Sequence, residues 1–183
     1  MKNILDRDIA ALLNPRLALL VTCGDQNGKN NILTIAWHSP LSHRPPLVGI
    51  SVGKTRHSLT LIREFGEFVL NIVSDDLVNS VQFCGNYTGE IDDKFEITKI
   101  KTMESRTVHP PRLAEAMGFL ECKVMEEVET GDHIFFVGKV LLAKAREDCF
   151  SNAWESLDQT ALLCLQRNRF GKFMENYDSS NGK

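Results

Sequence analysis

Long apolar runs are missing from this sequence, and no stretch approaches the roughly 18 residues that a membrane-spanning helix requires. The opening segment, MKNILDRDIA, carries acids and lacks the apolar centre of a secretory leader, so a cytoplasmic protein is expected. Excess positive charge is missing too. A formal net charge of -3 offers no basic field to nucleic acid or to an anionic membrane, which leaves small molecules and proteins as expected partners. Paired cysteines are absent: the five present (Cys23, Cys84, Cys122, Cys149, Cys164) are scattered, with no Cys-x-x-Cys and no Cys/His cluster at zinc spacing. Neither a disulfide framework nor a metal site is expected, and most of these thiols read as buried and free. Catalytic signatures are lacking as well, with no Gly-x-Ser-x-Gly, no His-Glu-x-x-His and no phosphate-binding Walker loop. Among 24 acidic residues no pair stands out for glycoside chemistry.

The chain instead contains many short segments of strand character. Residues 4–13 have the spacing of a short amphipathic helix, which Asn14-Pro15 ends. Residues 16–22 and 31–37 read as strands around Asn27-Gly28, a strong hairpin dipeptide. Residues 47–53 alternate after an extended Pro45-Pro46. A helix is predicted over 57–65, closed by Gly66, followed by a strand at 67–73 and a second helix at 75–83. The segment 84–117 reads as irregular. A long hairpin over 118–128 and 133–143 follows, joined by Glu129-Thr130-Gly131-Asp132, and a last strand covers 161–166. The tail beyond Tyr177 reads as disordered. A chain of 183 residues without a linker fits one domain, 1–183, with its core over about 12–175. The pattern implies a mainly β fold, a closed or partly closed antiparallel barrel with short helices. The β-α alternation and Gly-x-Gly-x-x-Gly fingerprint of a Rossmann fold are missing.

Polar residues with chemical potential concentrate between positions 31 and 60. Arg56 precedes a helix whose first turn holds His57 and Ser58. Free amides, a guanidinium fork and a hydroxyl together suit a phosphate, although a capped helix with a solvated arginine is the plainer reading. Trp37 ends a strand, where it is either core or a shelf for a flat ring. Asn31 and Thr34 on the same strand fit either a polar ligand edge or a surface strand. His133 opens a strand after a Gly-Asp turn, either solvated or in contact with a ligand. The run Arg169-Phe170-Gly171-Lys172-Phe173 fits a ring placed against a ligand or a C-terminal apolar clasp.

The order of these motifs resembles the flavin reductase-like FMN-binding proteins, and within them the flavoredoxin group. The matching stretches are NILTIAW at 31–37, Ser39-Pro40, RPPLVGISV at 44–52, RHS at 56–58 and GEFVLNIV at 66–73. They continue with FCG at 83–85, DDKF at 92–95, PPRLAEAMGFLEC at 110–122, GDHIFFVGKV at 131–140 and RFGKF at 169–173, spanning roughly residues 12–175. The resemblance implies an FMN-binding split barrel of antiparallel Greek-key type, a homodimer with FMN near the subunit interface. It implies that Asn31, Thr34 and Trp37, with Ser39 and Ser51, line the flavin pocket, and that Arg56 and Ser58 hold the phosphate. Lys94 and Phe170 would complete the pocket, from this subunit or its partner. Cys84 would lie close to the flavin, and His133 would contact nicotinamide. Two positions depart from the pattern. Ser58 replaces a common threonine and keeps the hydroxyl, whereas Arg167-Asn168-Arg169-Phe170-Gly171 replaces the usual glycine pair before the final aromatic pair and adds positive charge. The implied function is oxidoreduction, with NADPH or NADH as donor and free flavin, ferric iron or a protein as acceptor. A flavoredoxin-type carrier with a redox protein partner and no direct use of NAD(P)H is the alternative. A split-barrel module for another phosphate ligand is the third reading.

Overall fold

A computed structural model describes residues 3–25, 27–90, 93–154 and 160–172. The fold is a split β-barrel built on one seven-stranded antiparallel sheet. Its strands are β2 (Leu19–Gly24), β3 (Asn30–Ile35), β4 (His38–His43), β5 (Pro46–Gly53), β6 (Glu67–Ile72), β9 (Gly118–Thr130) and β10 (His133–Ala145), in the spatial order β3-β2-β6-β9-β10-β5-β4. The two edge strands, β3 and β4, are consecutive in the chain. Only Ala36 and Trp37 separate them, so the sheet must roll until its two edges meet at that corner. The Ser51 amide of β5 donates to the Trp37 carbonyl there at 2.9 Å. Helix α1 (His57–Phe65) carries the chain from β5 across to β6 beside β2, the long return of a Greek key.

Local sequence accounts for most of these elements. In α1 the buried positions Ser58, Leu59, Leu61 and Ile62 share a face, and Gly66 ends the helix at φ 73° with its amide on the Ile62 carbonyl. The hairpin β9–β10 closes on Gly131-Asp132, so β9 runs two residues further than expected, and β10 runs two further at its far end. Its core face packs Phe136 against Phe68, Ile50 and Val52, all fully buried. At Gly138 a side chain would begin 2.5 Å from the Phe68 ring, so glycine there lets the two sheet halves approach.

Several expectations change. The N-terminal helix is a 3-10 helix at Asp6–Leu13. The first strand breaks at Ala18, with β1 (Arg16–Leu17) joining β11 (Leu163–Gln166) and β12 (Arg169–Gly171) in a separate small sheet. A 3-10 turn at Asp75–Leu77 leads into α2 (Val78–Asn86), which extends three residues past the expected end. The segment 84–117 is more ordered than its sequence suggests. It contains α3 (Lys94–Thr98), capped by the Asp93 side chain, and the small hairpin β7 (Thr102–Met103) and β8 (Arg112–Leu113). Strand β4, read from sequence only as a Ser-Pro motif, is a polar edge strand. The tail beyond Tyr177 lies outside the described residues. Among the described residues no helix is long and apolar enough to cross a membrane, and all five cysteines are free and buried.

Glu121 anchors Arg106 and Thr107 within the segment 84–117. Its fully buried carboxylate accepts from the amides of Arg106 and Thr107, at 3.0 and 2.7 Å, and from the Thr107 hydroxyl at 2.6 Å. Burial pushes its pKa up, but the Thr107 hydroxyl, the two amides and nearby Arg112 outweigh it and hold the pKa below the usual glutamate range. A carboxyl depressed in the folded state stabilises above its unfolded pKa and loses that contribution as pH falls through the folded value. Glu121→Gln is expected to cost about 1–2 kcal/mol at neutral pH and to flatten the acid side of the stability profile. Urea midpoints at pH 7 and below pH 4 check this; a mutant whose acid loss equals that of the wild type would refute it.

Candidate functional site

Two adjoining cavities open where α1, α2, β3 and the C-terminal hairpin converge. The larger holds about 420 Å³ and is lined by Thr34, Trp37, Ser51, Arg56, His133 and Phe170 among others. The smaller holds about 110 Å³ and contains Arg56, Ser58, Cys84 and Lys94. Leu33, Arg56 and Asn86 belong to both walls, so the pair makes one elongated site with a wide end and a narrow end.

The narrow end is built for negative charge. Arg56 stands at the cap position of α1, extended at φ -84° and ψ 127°, its side chain exposed and making no capping bond. The first turn of α1 contains no acidic residue. Buried Ser58 accepts from the Asn31 amide nitrogen at 2.7 Å. Buried Lys94 donates to the carbonyls of Ile32 and Cys84, each at 3.0 Å, tying β3 to the end of α2. Burial, followed by the proximity of Arg56, lowers the Lys94 pKa below its usual 10.5, while Cys84 and Cys23 oppose the shift. No carboxylate lines either cavity among the described residues. An uncompensated cluster of Arg56, Lys94 and helix-start amides is the electrostatic counterpart of a phosphate.

The wide end presents a flat surface. The Trp37 and His133 rings stack with centroids 4.7 Å apart and planes 25° apart. Trp37 is 42% exposed, which removes the reading that it is core. The His133 Nδ1 meets the Asp132 carboxylate at 2.7 Å, and this contact holds the Asp132 pKa below its usual range. Thr34 donates its hydroxyl proton to the Val81 carbonyl. Phe170, on β12, forms part of the opposing wall.

Ten of the eleven candidate residues therefore gather here, with Asn31 reaching the site through Ser58. Ser39 stands apart: it is exposed on β4, lines a separate apolar cavity of about 600 Å³, and its hydroxyl donates to the Pro40 carbonyl. Cys84 lies at the narrow end, where burial pushes its thiol up to about 11 despite Lys94, so it is protonated and unreactive at neutral pH. Ser58→Ala is expected to weaken a phosphate ligand by about 0.5–1.5 kcal/mol, the loss of one neutral hydrogen bond. Comparing dissociation constants by flavin fluorescence checks it.

Sequence reasoning missed Asp132, Gln82, Asn86 and Gly89. A side chain on Gly89 would begin 2.0 Å from the Asn31 Oδ1, so glycine there leaves room for the amide that orients Ser58. The two glycines of Cys-Gly-Asn-Tyr-Thr-Gly at 84–89 were the available clue, since Gly85 also lies close to Thr34.

Known proteins share this architecture. The model of the "Flavin reductase like domain" matches residues 13–172. An uncharacterized protein of Archaeoglobus fulgidus is 38% identical over 129 residues, covering 70% of this chain and 72% of its own. A reductase component of a 4-nitrophenol 4-monooxygenase/4-nitrocatechol 2-monooxygenase from Rhodococcus opacus is 30% identical over 112 residues, 61% of this chain and 57% of its own. Among solved structures, the flavoredoxin of Desulfovibrio vulgaris superposes with a TM-score of 0.85 at 24% identity, covering 100% of this chain and 98% of its own. An FMN-binding protein from Thermus thermophilus with bound 1-cyclohex-2-enone gives 0.85 at 22% identity, covering 98% and 97%.

Proposed function

The chain belongs to the flavin reductase-like family, and from that premise we propose that it is an FMN-binding oxidoreductase that takes electrons from NADPH or NADH and passes them to free flavin, ferric iron or a protein acceptor. The observation that carries this reading is the shape and charge of the paired cavities: a wide end with an aromatic shelf, joined to a narrow end holding Arg56 and Lys94 without a carboxylate. A flat ring system linked to a dianionic phosphate fits both ends.

In this reading Arg56, Lys94 and the first amides of α1 hold the phosphate, and Asn31 fixes the Ser58 hydroxyl beside it. Thr34, Ser51 and Phe170 border the ring. When bound, FMN supplies the two-electron acceptor chemistry, so no dedicated general base is needed. Asp132 engages the His133 Nδ1, which leaves Nε2, near Gly53, as the ring nitrogen for a nicotinamide contact. The Trp37–His133 stack limits where a second planar ring can lie.

The proposal extends to a homodimer. The apolar cavity bordered by Leu17, Leu70, Phe119, Phe150 and Trp154 is the kind of surface a second copy covers. Five free, buried cysteines suit the reducing cytoplasm. Light scattering of the eluting protein tests the assembly.

An anaerobic absorption spectrum tests the activity. FMN-loaded protein mixed with NADPH or NADH is expected to bleach promptly near the blue flavin band. A yellow spectrum that bleaches only with dithionite would move the reading to a flavoredoxin-type carrier. The exposure of Trp37 at the rim favours that second reading, because it leaves the wide end open to a protein partner. Protein that stays colourless with excess FMN would overturn both.

A further inference from the structure

The hairpin formed by β11 and β12 places unusual residues at the mouth of the wide cavity. Its two-residue loop is Arg167-Asn168, set between the paired residues Gln166 and Arg169. Arg167 adopts φ 49°, the left-handed region that glycine or asparagine occupies at far lower cost. Among the described residues the other non-glycine of this kind, Lys99 at φ 57°, ends helix α3. Arg167 takes the left-handed position that a two-residue hairpin loop calls for, and it borders the cavity together with Asn168. The Asn86 amide nitrogen donates to the Asn168 Oδ1 at 3.2 Å, which fastens the loop to the end of α2 and so to the cavity wall.

Charge sharpens the point. The Arg167 side chain is exposed and forms no hydrogen bond or ion pair among the described residues. Among the described residues no carboxylate lines the cavity to neutralise it. The turn therefore presents an unpaired guanidinium at the cavity rim, from a position whose backbone glycine or asparagine would adopt at lower cost. The guanidinium fork of Arg167 suits two oxygens of a doubly charged phosphomonoester.

We propose that Arg167 makes this mouth a reader of a nucleotide 2′-phosphate, so that the protein selects NADPH over NADH. The inference rests on the nicotinamide-linked reading above and adds the residue that sets donor choice. It concerns binding only, so it can be tested without turnover.

Isothermal titration of the FMN-loaded protein with NADP⁺ and with NAD⁺ compares two ligands that differ only in the 2′-phosphate. The wild type is expected to bind NADP⁺ at least tenfold more tightly. Arg167→Gly and Arg167→Asn both suit the left-handed backbone, so they should fold, and each is expected to reduce the ratio below threefold. The ratio cancels any general weakening of the site. Equal affinities in the wild type, or a preference that survives both substitutions, would overturn the proposal. If FMN does not bind, the functional reading falls separately, and the same titrations on flavin-free protein still decide the role of Arg167.

Discussion

Replacing Arg56 by alanine is expected to weaken FMN binding by about 1.5–3 kcal/mol, roughly ten- to hundredfold. The guanidinium stands at the start of α1 and borders both cavities, so it meets the narrow end from the side open to water. It makes no capping bond that the fold would lose, so the loss should fall on the ligand rather than on stability. A charge-assisted contact to a dianion is about twice as strong as a neutral one, which is why this loss should exceed that of Ser58→Ala. Quenching of FMN fluorescence measures it, with circular dichroism as the control for folding. An unchanged dissociation constant in a folded variant would remove the phosphate from this end of the site.

Lys94→Met is expected to act on both binding and stability. Its amino group bridges the carbonyl of Ile32 on β3 and that of Cys84 near the end of α2. Methionine keeps the length and loses both donors, leaving buried carbonyls unsatisfied at a cost of about 1–3 kcal/mol. Loss of the buried cation should also weaken FMN by about 1.5–3 kcal/mol, roughly ten- to hundredfold. The pH profile separates this residue from Arg56. Burial, followed by the nearby Arg56 charge, lowers the Lys94 pKa below 10.5. Because the bound phosphate favours the protonated amine, FMN affinity should hold at neutral pH and fall as pH rises through that lowered pKa. The Met variant should lack this alkaline loss, whereas Arg56→Ala should retain it. An identical alkaline profile in wild type and Lys94→Met would place the phosphate away from Lys94.

The two substitutions probe residues that the chain supplies from separate places. Arg56 and Ser58 are close in sequence, and their pairing with a helix start is visible as a motif. Lys94 depends on α3 lying beneath β3 and α2, within a segment whose irregular composition conceals its order. Asp93 caps α3 with its side chain, but the turn residues around it conceal that helix in the sequence. Strand β4 was hidden for a different reason: His-Ser-Pro-Leu-Ser-His carries none of the alternation of a half-buried strand. It forms because β5 offers an unpaired edge, where proline and polar residues are tolerated.

The sequence by itself determined the local elements and the inventory of the narrow end. Helix α1 with its Gly66 cap, the long hairpin, and the Arg56-His57-Ser58 run follow from periodicity, turn chemistry and capping, which act over a few residues. Tertiary structure alone decided which distant segments share a wall. Trp37 meets His133 because β10 pairs with β5, whose Ser51 bonds the Trp37 carbonyl, and Asn86 meets Asn168 because the C-terminal hairpin folds over α2. Such pairings depend on sheet order and barrel closure, long-range properties that no short window of sequence contains.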